Sequence, residues 1–256
     1  HRRYDRFRDR IMFPILDRRG RVIAFGGRII DKGEPKYLNS PETPVFHKRQ
    51  ELYGLYQARR MNTNLQRILV VEGYMDVVAL GQFSVNNAVA SLGTATTAEQ
   101  LEMLFRTAPE VVFCYDGDKA GRRAAWKALE TTLPLIRDGR QAGFMFVPDG
   151  HDPDTLVREQ GPEAFTRRDS IKPLSEFLLE ELAAKIDLGS IDGRARFVDL
   201  SKPLVMKIPT GSFRQLLIHR IGEIANLDAS ALLDSSKQAP RRVAQGRRRR
   251  RQNLPS

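Results

Sequence analysis

The sequence predicts an α/β protein: a parallel sheet flanked by helices, with a β-rich part before it and a helical part after it. Between residues 67 and 148, short apolar runs alternate with helical segments, as in parallel sheets with crossover helices. The first 60 residues hold two apolar runs around a turn sequence. After about Pro162, apolar residues recur at three- and four-residue spacing, which indicates helices.

The front of the chain is predicted to form a hairpin followed by a loop. Apolar runs at 11–15 and 21–25 flank the turn sequence Asp17-Arg18-Arg19-Gly20. Gly26-Gly27 is expected to break or bulge the second strand. The proline-rich stretch 35–44 is expected to be a loop, and 50–60 a short helix.

The middle of the chain predicts the parallel sheet. Thr96 or Thr97, with Glu99 or Gln100 three residues on, has the pattern of a helix N-cap. In such sheets ligands gather at the carboxyl ends of the strands. The predicted strands are 68–71, 87–90, 111–115 and 144–147, and the predicted helices are 75–82, 97–106 and 120–133.

The last part of the chain predicts a small helical bundle. Helical patterns cover 175–186, 193–205 and 210–225, with short connections. From residue 236 the apolar periodicity is lost, and we expect 236–256 to be a disordered linker.

Composition excludes some classes of protein. No apolar run approaches the roughly 20 residues that span a bilayer, so a membrane protein is not expected. Cys114 is the single cysteine, which excludes a disulfide within the chain, and no Cys/His cluster has zinc spacing. Because the chain begins at His1, we interpret it as an excerpt of a longer protein.

The net charge of +11 is unevenly distributed. Residues 1–60 carry +8, residues 61–240 carry −4, and the last 16 residues carry seven arginines and no acid. A basic front beside an acidic middle is typical of a surface that holds a polyanion near a metal site. Charged runs can also be simply solvated, and that interpretation stays open for the arginine tail.

Acidic residues follow three of the predicted strands. Glu72 follows the first, Asp116 and Asp118 follow the third, and Asp152 and Asp154 follow the fourth. Acids at the ends of apolar strands are unfavourable unless a positive charge balances them, and hard carboxylate oxygens suit Mg²⁺ or Mn²⁺.

Each acid also has an ordinary structural interpretation. An Asp-x-Asp pair can be a turn or a helix cap, and Glu72 could interact with a helix dipole. Asp76 could face Glu72 across one helical turn and either bind metal or orient a ligand. Acidic sites after three of the four predicted strands favour the metal interpretation.

Two segments carry a resemblance to a known module. Val71-Glu72-Gly73-Tyr74-Met75-Asp76 and Tyr115-Asp116-Gly117-Asp118-Lys119-Ala120-Gly121 resemble the TOPRIM module of primases, topoisomerases and some nucleases. The segments 35–43 (PKYLNSPET), 90–95 (ASLGTA) and 152–156 (DPDTL) add a resemblance to the RNA polymerase core of bacterial DnaG-type primases. It runs from about Tyr4 to Leu233.

The resemblance implies a catalytic centre and a binding surface. It implies catalytic roles for Glu72, Asp116 and Asp118, and two or more Mg²⁺ or Mn²⁺ ions. The implied metal ligands are Glu72, Asp76, Asp116, Asp118, Asp152 and Asp154. The implied nucleotide- and DNA-binding residues are Arg8, Arg10, Arg28, Lys36, Tyr37 and Asn39.

The resemblance also implies an activity and partners. The activity is synthesis of short RNA primers on a single-stranded DNA template from ribonucleoside triphosphates, in a cytoplasmic bacterial replisome and by a monomer. The family's zinc-binding domain and helicase-interacting domain, which would contact the replicative helicase, are expected to lie outside this chain. The expected units are 1–62 for the basic front, 63–160 for the TOPRIM module, 161–235 for the helical subdomain and 236–256 for the linker.

Two alternatives remain. One is another TOPRIM enzyme, a nuclease or topoisomerase, since a nuclease could use the same acids. The other is a non-catalytic module that binds single-stranded DNA, in which the acids are structural caps and the basic ends supply the affinity.

Overall fold

The structure, a computed structural model, describes residues 4–93 and 95–228. The stretch 236–256, expected to be a linker, lies outside these ranges. The elements in chain order are β1 (Arg10–Leu16), β2 (Val22–Ile29), β3 (Tyr37–Asn39), α1 (Leu55–Met61), β4 (Arg67–Val71), α2 (Tyr74–Gln82), β5 (Ala88–Ala90), α3 (Ala98–Thr107), β6 (Glu110–Asp116), α4 (Lys119–Thr132), β7 (Gln141–Val147), α5 (Pro153–Gln160), β8 (Lys172–Pro173), α6 (Leu174–Ala183), α7 (Ile191–Val205) and α8 (Ser212–Ala225).

The predicted parallel sheet is confirmed. Its strand order is β5-β4-β6-β7-β8, and β5, β4, β6 and β7 are parallel to their neighbours. β8 adds an antiparallel edge of two residues. β8 was not predicted, because two residues are too few to show an alternating pattern.

Both faces of the parallel sheet are buried, which explains why its strands are nearly continuous apolar runs. Ile68 and Val70 point into a core formed with α1, α3, α4 and the helices after β8. Leu69 and Val71 point the other way, into a core formed with β1, β2, α2 and α5. Because side chains alternate along a strand, one five-residue strand supports both cores.

The basic front is an antiparallel sheet of order β1-β2-β3. The expectation that Gly26-Gly27 breaks β2 was wrong, since the strand continues to Ile29. A Cβ on Gly26 would lie 3.0 Å from the ring of Tyr74, so this glycine allows the front sheet to pack closely on α2. The proline-rich stretch was also not entirely loop, because Tyr37–Asn39 pairs with β2.

The helical end packs on one face of the parallel sheet. Phe177 on α6 and Phe197 on α7 are fully buried, and the Phe177 ring lies 4.5 Å from that of Phe144 on β7. The three predicted helices are confirmed within two or three residues at most boundaries. Among the described residues, no helix is both long and apolar enough to cross a membrane.

Candidate active site

The acids predicted at the strand ends lie along one edge of the parallel sheet. Glu72 directly follows β4, and Asp116 is the last residue of β6, the strand that pairs with it. Asp116 stands opposite Val147, the last residue of β7, and Asp152 follows five residues later. Since these strands are parallel, their carboxyl ends bring the acids to the same side of the sheet.

The turn from β6 into α4 depends on two glycines. A Cβ on Gly117 would lie 2.7 Å from the carbonyl oxygen of Val147, and one on Gly121 would collide with the backbone of Asp116. Asp118 is the N-cap of α4, and its Oδ1 accepts a hydrogen bond from the Gly121 N–H at 2.7 Å. The Asp-Gly-Asp spacing therefore requires this tight turn, and one oxygen of Asp118 is used to cap the helix.

Two further acids are held at helix N-termini. The Oδ2 atom of Asp76 accepts a hydrogen bond from the Gly73 N–H at 3.0 Å at the start of α2. Asp152 caps α5, where its Oδ1 accepts a hydrogen bond from the Thr155 N–H at 2.8 Å. Of the Asp152 and Asp154 pair, Asp152 is thus the helix cap, whereas Asp76 bonds back to the N-cap residue Gly73.

Burial and the negative charges of neighbouring acids raise the pKa values of Glu72 and Asp116. Partial burial, and then the charges of Asp116 and Asp118, raise the pKa of Glu72. Burial, followed by the charges of Asp118 and Asp152, raises the pKa of Asp116. Mutual repulsion of this kind is expected where carboxylates lie near one another.

Asp76 shows the strongest of these effects. Burial raises its pKa to about 6, and the charges of Asp152, Glu72 and Asp116 act in the same direction, while the Gly73 hydrogen bond opposes them. The pKa of Asp152 is instead lowered, mainly by its hydrogen bond from Thr155. We call Glu72, Asp76, Asp116, Asp118 and Asp152 together the acidic edge.

The acidic edge fits divalent cations. Among the described residues, none of its five carboxylates forms an ion pair with lysine or arginine. No three His, Cys, Asp or Glu side chains in the described ranges are arranged to hold one ion. Mg²⁺ is commonly bound through one or two carboxylates with waters and substrate phosphates, so these oxygen donors suit it without a cage of three side chains.

Asp154 stands apart from the acidic edge. Its Oδ1 accepts a hydrogen bond from the Arg158 Nε–H at 2.6 Å within α5. Asp154 is therefore already balanced by a cation on its own helix, unlike the other predicted ligands.

The predicted binding residues of the front surround Tyr37. The guanidinium of Arg28 and the ammonium of Lys36 lie 5.9 and 5.8 Å from the Tyr37 ring centre. The Tyr37 side chain is 41% exposed, and its ring meets that of Tyr74 edge-on at 5.4 Å. Two cations around an exposed aromatic ring suit a phosphate beside a base or sugar.

The other predicted binding residues have structural partners as well. Arg10 donates to the carbonyl oxygen of Pro35 at 2.7 Å, and Asn39 Nδ2 donates to that of Leu92 at 3.2 Å. Arg8 lies over the ring of Tyr4 at 5.3 Å. Arg10 therefore shapes the proline-rich loop, and Asn39 joins the front sheet to the loop after β5.

Sequence reasoning missed two residues beside the site. Tyr74 links the basic front to the acidic edge, and its buried hydroxyl has no hydrogen-bond partner among the described residues. Asp149 adds another acid, because its Oδ1 lies 3.1 Å from where a Cβ of Gly117 would be. The tyrosine directly after Glu72-Gly73 was a usable signal, whereas Asp149 lies in a Pro-Asp-Gly turn sequence that gives no such signal.

The parallel sheet and its acidic edge define a Toprim-type α/β module. The family model described as Toprim-like matches residues 69–157. The model of the DNA primase catalytic core, N-terminal domain, matches 1–59, and that of the DnaB-helicase binding domain of primase matches 175–230. The last match lies inside the chain, whereas the sequence reading placed helicase contact in a further domain.

Relatives agree with these matches. A DNA primase of Pseudomonas putida is 56% identical over 93% of this chain, and one of Escherichia coli K12 is 57% identical over 90%. The chain spans 36% and 40% of the lengths of these relatives.

Solved primase structures also match this chain, and the match covers a larger share of those chains than of the full-length relatives. A DnaG primase catalytic domain bound to single-stranded DNA matches with a TM-score of 0.85 and 56% identity, covering 89% of this chain and 73% of that chain. A DNA primase domain from Pseudomonas aeruginosa matches with a TM-score of 0.88 and 52% identity, covering 93% and 74%. The chain belongs to the DnaG-type bacterial DNA primases.

Proposed function

We propose that this chain carries the catalytic part of a primase, a nucleotidyltransferase that synthesises short RNA primers on single-stranded DNA for replication. The observation that supports the proposal is the acidic edge, where carboxylates from three strand-to-helix junctions lie close enough to raise one another's pKa and, among the described residues, form no ion pair with lysine or arginine. A site of this kind fits transfer of a nucleotidyl group, in which positioning and charge neutralisation supply most of the catalysis.

The proposed ligands for divalent ions are carboxylates. Of these, Glu72, Asp116 and Asp118 are proposed to be the catalytic residues. Asp76, Asp152 and Asp154 complete the proposed set, which would hold two or more Mg²⁺ or Mn²⁺ ions. When bound, these ions would activate the attacking 3′-hydroxyl and neutralise the triphosphate. Because Asp118 and Asp152 each use an oxygen to cap a helix, their carboxylates are fixed in place before any ligand arrives.

The basic front is proposed to hold the nucleic acid and the incoming nucleotide. Arg28 and Lys36 supply positive charge for phosphates, and Tyr37 offers an exposed ring for stacking. Arg8 would add charge to this surface. Arg10 and Asn39 would act by fixing the loop that presents Lys36 and Tyr37.

The partners follow from this function and from the comparisons. We propose single-stranded DNA as template, ribonucleoside triphosphates as substrates and the replicative helicase as partner of the longer protein, acting as a monomer in the bacterial cytoplasm. The helicase proposal is supported by the match of 175–230 to a helicase-binding domain. The proposed units are 1–62, 63–160 and 161–235.

The experiment measures incorporation of labelled ribonucleotides on a single-stranded template by the full-length parent protein. Asp116→Asn/Asp118→Asn is expected to abolish the Mg²⁺-dependent product, while Asp187→Asn/Asp192→Asn, an equal charge change on the helical end, leaves it unchanged. Retention of synthesis by the first variant would refute the proposal. In a parallel reaction with an end-labelled template, cleavage of that template without synthesis would instead indicate the nuclease alternative.

A further inference from the structure

A second basic site lies away from the acidic edge. Arg18, Arg59 and Arg106 line one cavity of about 400 Å³, which we call the arginine pocket. Its other polar lining residues are neutral, and no aspartate or glutamate contributes to it. Neither the proposed catalysis nor the proposed binding surface around Tyr37 uses these three arginines.

The three arginines come from separate elements. Arg18 lies in the turn between β1 and β2, Arg59 in the last turn of α1, and Arg106 in the last turn of α3. All three are exposed, and none forms an ion pair or side-chain hydrogen bond with another described residue. Arg18 and Arg106 lie within range of the charges of Glu51 and Glu102, but among the described residues no carboxylate pairs directly with any of the three guanidiniums, so their N–H donors can bind an anion.

The arginine pocket lies at the opposite end of the parallel sheet from the acidic edge. The loop 62–66 that lines it leads into the start of β4, whereas Glu72 follows the end of that strand. Five residues of strand span about 16 Å at about 3.3 Å per residue. A ligand in the pocket is thus separated from the reacting atoms by about the length of a strand.

The surroundings indicate a compact ligand rather than a nucleic-acid strand. A neighbouring cavity shares Arg18 and Arg106 but is also lined by Glu51, Glu99 and Glu102. A strand that continued past the arginines in this direction would meet three carboxylates. The floor of the pocket is apolar at Leu55, Leu65 and Met103, which suits a ring or sugar better than a chain of phosphates.

We propose that the arginine pocket binds a nucleoside phosphate, with the guanidiniums on the phosphates and the apolar floor under the nucleoside. Guanidinium groups bind phosphates through paired, charge-assisted hydrogen bonds. The cavity volume falls within the range of small-molecule sites. This site is separate from the proposed catalytic centre and needs no metal.

The test measures ADP binding to the 256-residue chain by calorimetry, with EDTA and about 150 mM salt, so that long-range attraction is screened. Wild type is expected to bind one ADP, and Arg59→Gln/Arg106→Gln to bind it at least about tenfold more weakly. The matched control, Lys185→Gln/Arg196→Gln, makes the same charge change on the helical end and should stay within about twofold of wild type.

Other variants distinguish this site from the rest of the molecule. Asp116→Asn/Asp118→Asn should leave ADP binding unchanged, so failure of primer synthesis would not count against the pocket. Loss of ADP binding in Arg28→Gln/Lys36→Gln, but not in the pocket variant, would overturn the proposal. A short single-stranded oligonucleotide whose binding falls in the pocket variant while ADP binding does not would overturn it too.

Discussion

The Oδ1 atom of Asp118 accepts a hydrogen bond from the Gly121 N–H at 2.7 Å, at the start of α4. The glycine is required there, because a side chain at 121 would collide with the backbone of Asp116. The Asp-Gly-Asp turn, the helix cap and the close approach of α4 to β6 are therefore one structural unit. Its parts can be separated by substitution.

Gly121→Ala should destabilise the chain strongly and weaken binding of divalent ions. The added Cβ forces Asp116 away from its position, and strain of this kind costs about 3 kcal/mol or more in the free energy of unfolding. Urea denaturation measures the stability, and calorimetry with Mn²⁺ measures the binding.

Gly81→Ala is the matched control for this substitution. Gly81 lies in α2, and a Cβ there would meet no atom within 4 Å. Since alanine is the better helix former, this variant should be up to about 1 kcal/mol more stable than wild type. Equal stability of the two alanine variants would show that the collision with the Asp116 backbone does not destabilise the chain.

Asp118→Asn and Asp118→Ala should separate the cap from the charge. Asparagine can still accept the Gly121 hydrogen bond, so it should preserve stability, whereas alanine should lower it by about 1 kcal/mol. Both variants remove a carboxylate from the acidic edge, and both should therefore lose Mn²⁺ affinity. A normal Mn²⁺ affinity in Asp118→Asn would mean that Asp118 acts only as a cap.

The acid at position 76 should make the metal-free chain less stable as the pH rises. Its folded pKa of about 6 lies above the ordinary 3.8, so its contribution is complete below pH 3.8 and is lost as the pH rises through about 6. The effect amounts to no more than about 3 kcal/mol at neutral pH. Urea denaturation in EDTA at several pH values from about 4 to about 7.5 measures it.

Asp76→Asn removes this titration while retaining an oxygen for the Gly73 hydrogen bond. The variant should therefore exceed wild type in stability above about pH 6 and match it near pH 4. Adding Mg²⁺ at about pH 7.5 should stabilise wild type more than the variant, because the ion balances the repulsion among the carboxylates. If the stabilities of the two proteins changed in parallel with pH, the raised pKa of Asp76 would not be the cause of the pH dependence.

The order of strands and helices could be predicted from the sequence because each buried strand of the main sheet is a short apolar run between helical patterns. The front sheet was harder to predict. Gly26 suggested a break, but its role is to admit the ring of Tyr74, a contact between residues 48 positions apart that no local pattern reveals. The same holds for β8, which exists only because β7 offers it a partner.

Most acids of the candidate site were predictable since they follow apolar strands, and Asp76 was predictable from its position one helical turn after Glu72. Asp154 and Asp152 differ in their charged neighbours, which the sequence does not show. Asp154 pairs with Arg158 on its own helix, whereas the charge of Asp152 acts on Asp76. The arginine pocket was not predictable, because its three cations are brought together by the turn after β1 and the ends of two helices.

Tyr74 should show how the basic front is attached to the acidic edge. Its ring packs against Phe13 at 4.8 Å and meets Tyr37 at 5.4 Å, while its buried hydroxyl has no partner among the described residues. Burial raises the pKa of this hydroxyl to about 12. Tyr74→Phe removes an unsatisfied polar group and keeps the ring, so the free energy of unfolding should stay the same or rise by about 1 kcal/mol.

Tyr74→Ala removes the ring itself and should lower stability by about 3 to 5 kcal/mol. It should also weaken binding of a single-stranded oligonucleotide, since Tyr37 loses the ring that supports it, whereas Tyr74→Phe should bind the oligonucleotide as wild type does. Fluorescence anisotropy measures that affinity at a temperature where both variants are folded. If Tyr74→Phe lost stability as Tyr74→Ala does, the hydroxyl would have a partner that holds the two sheets together, and the ring contacts would not be the main attachment.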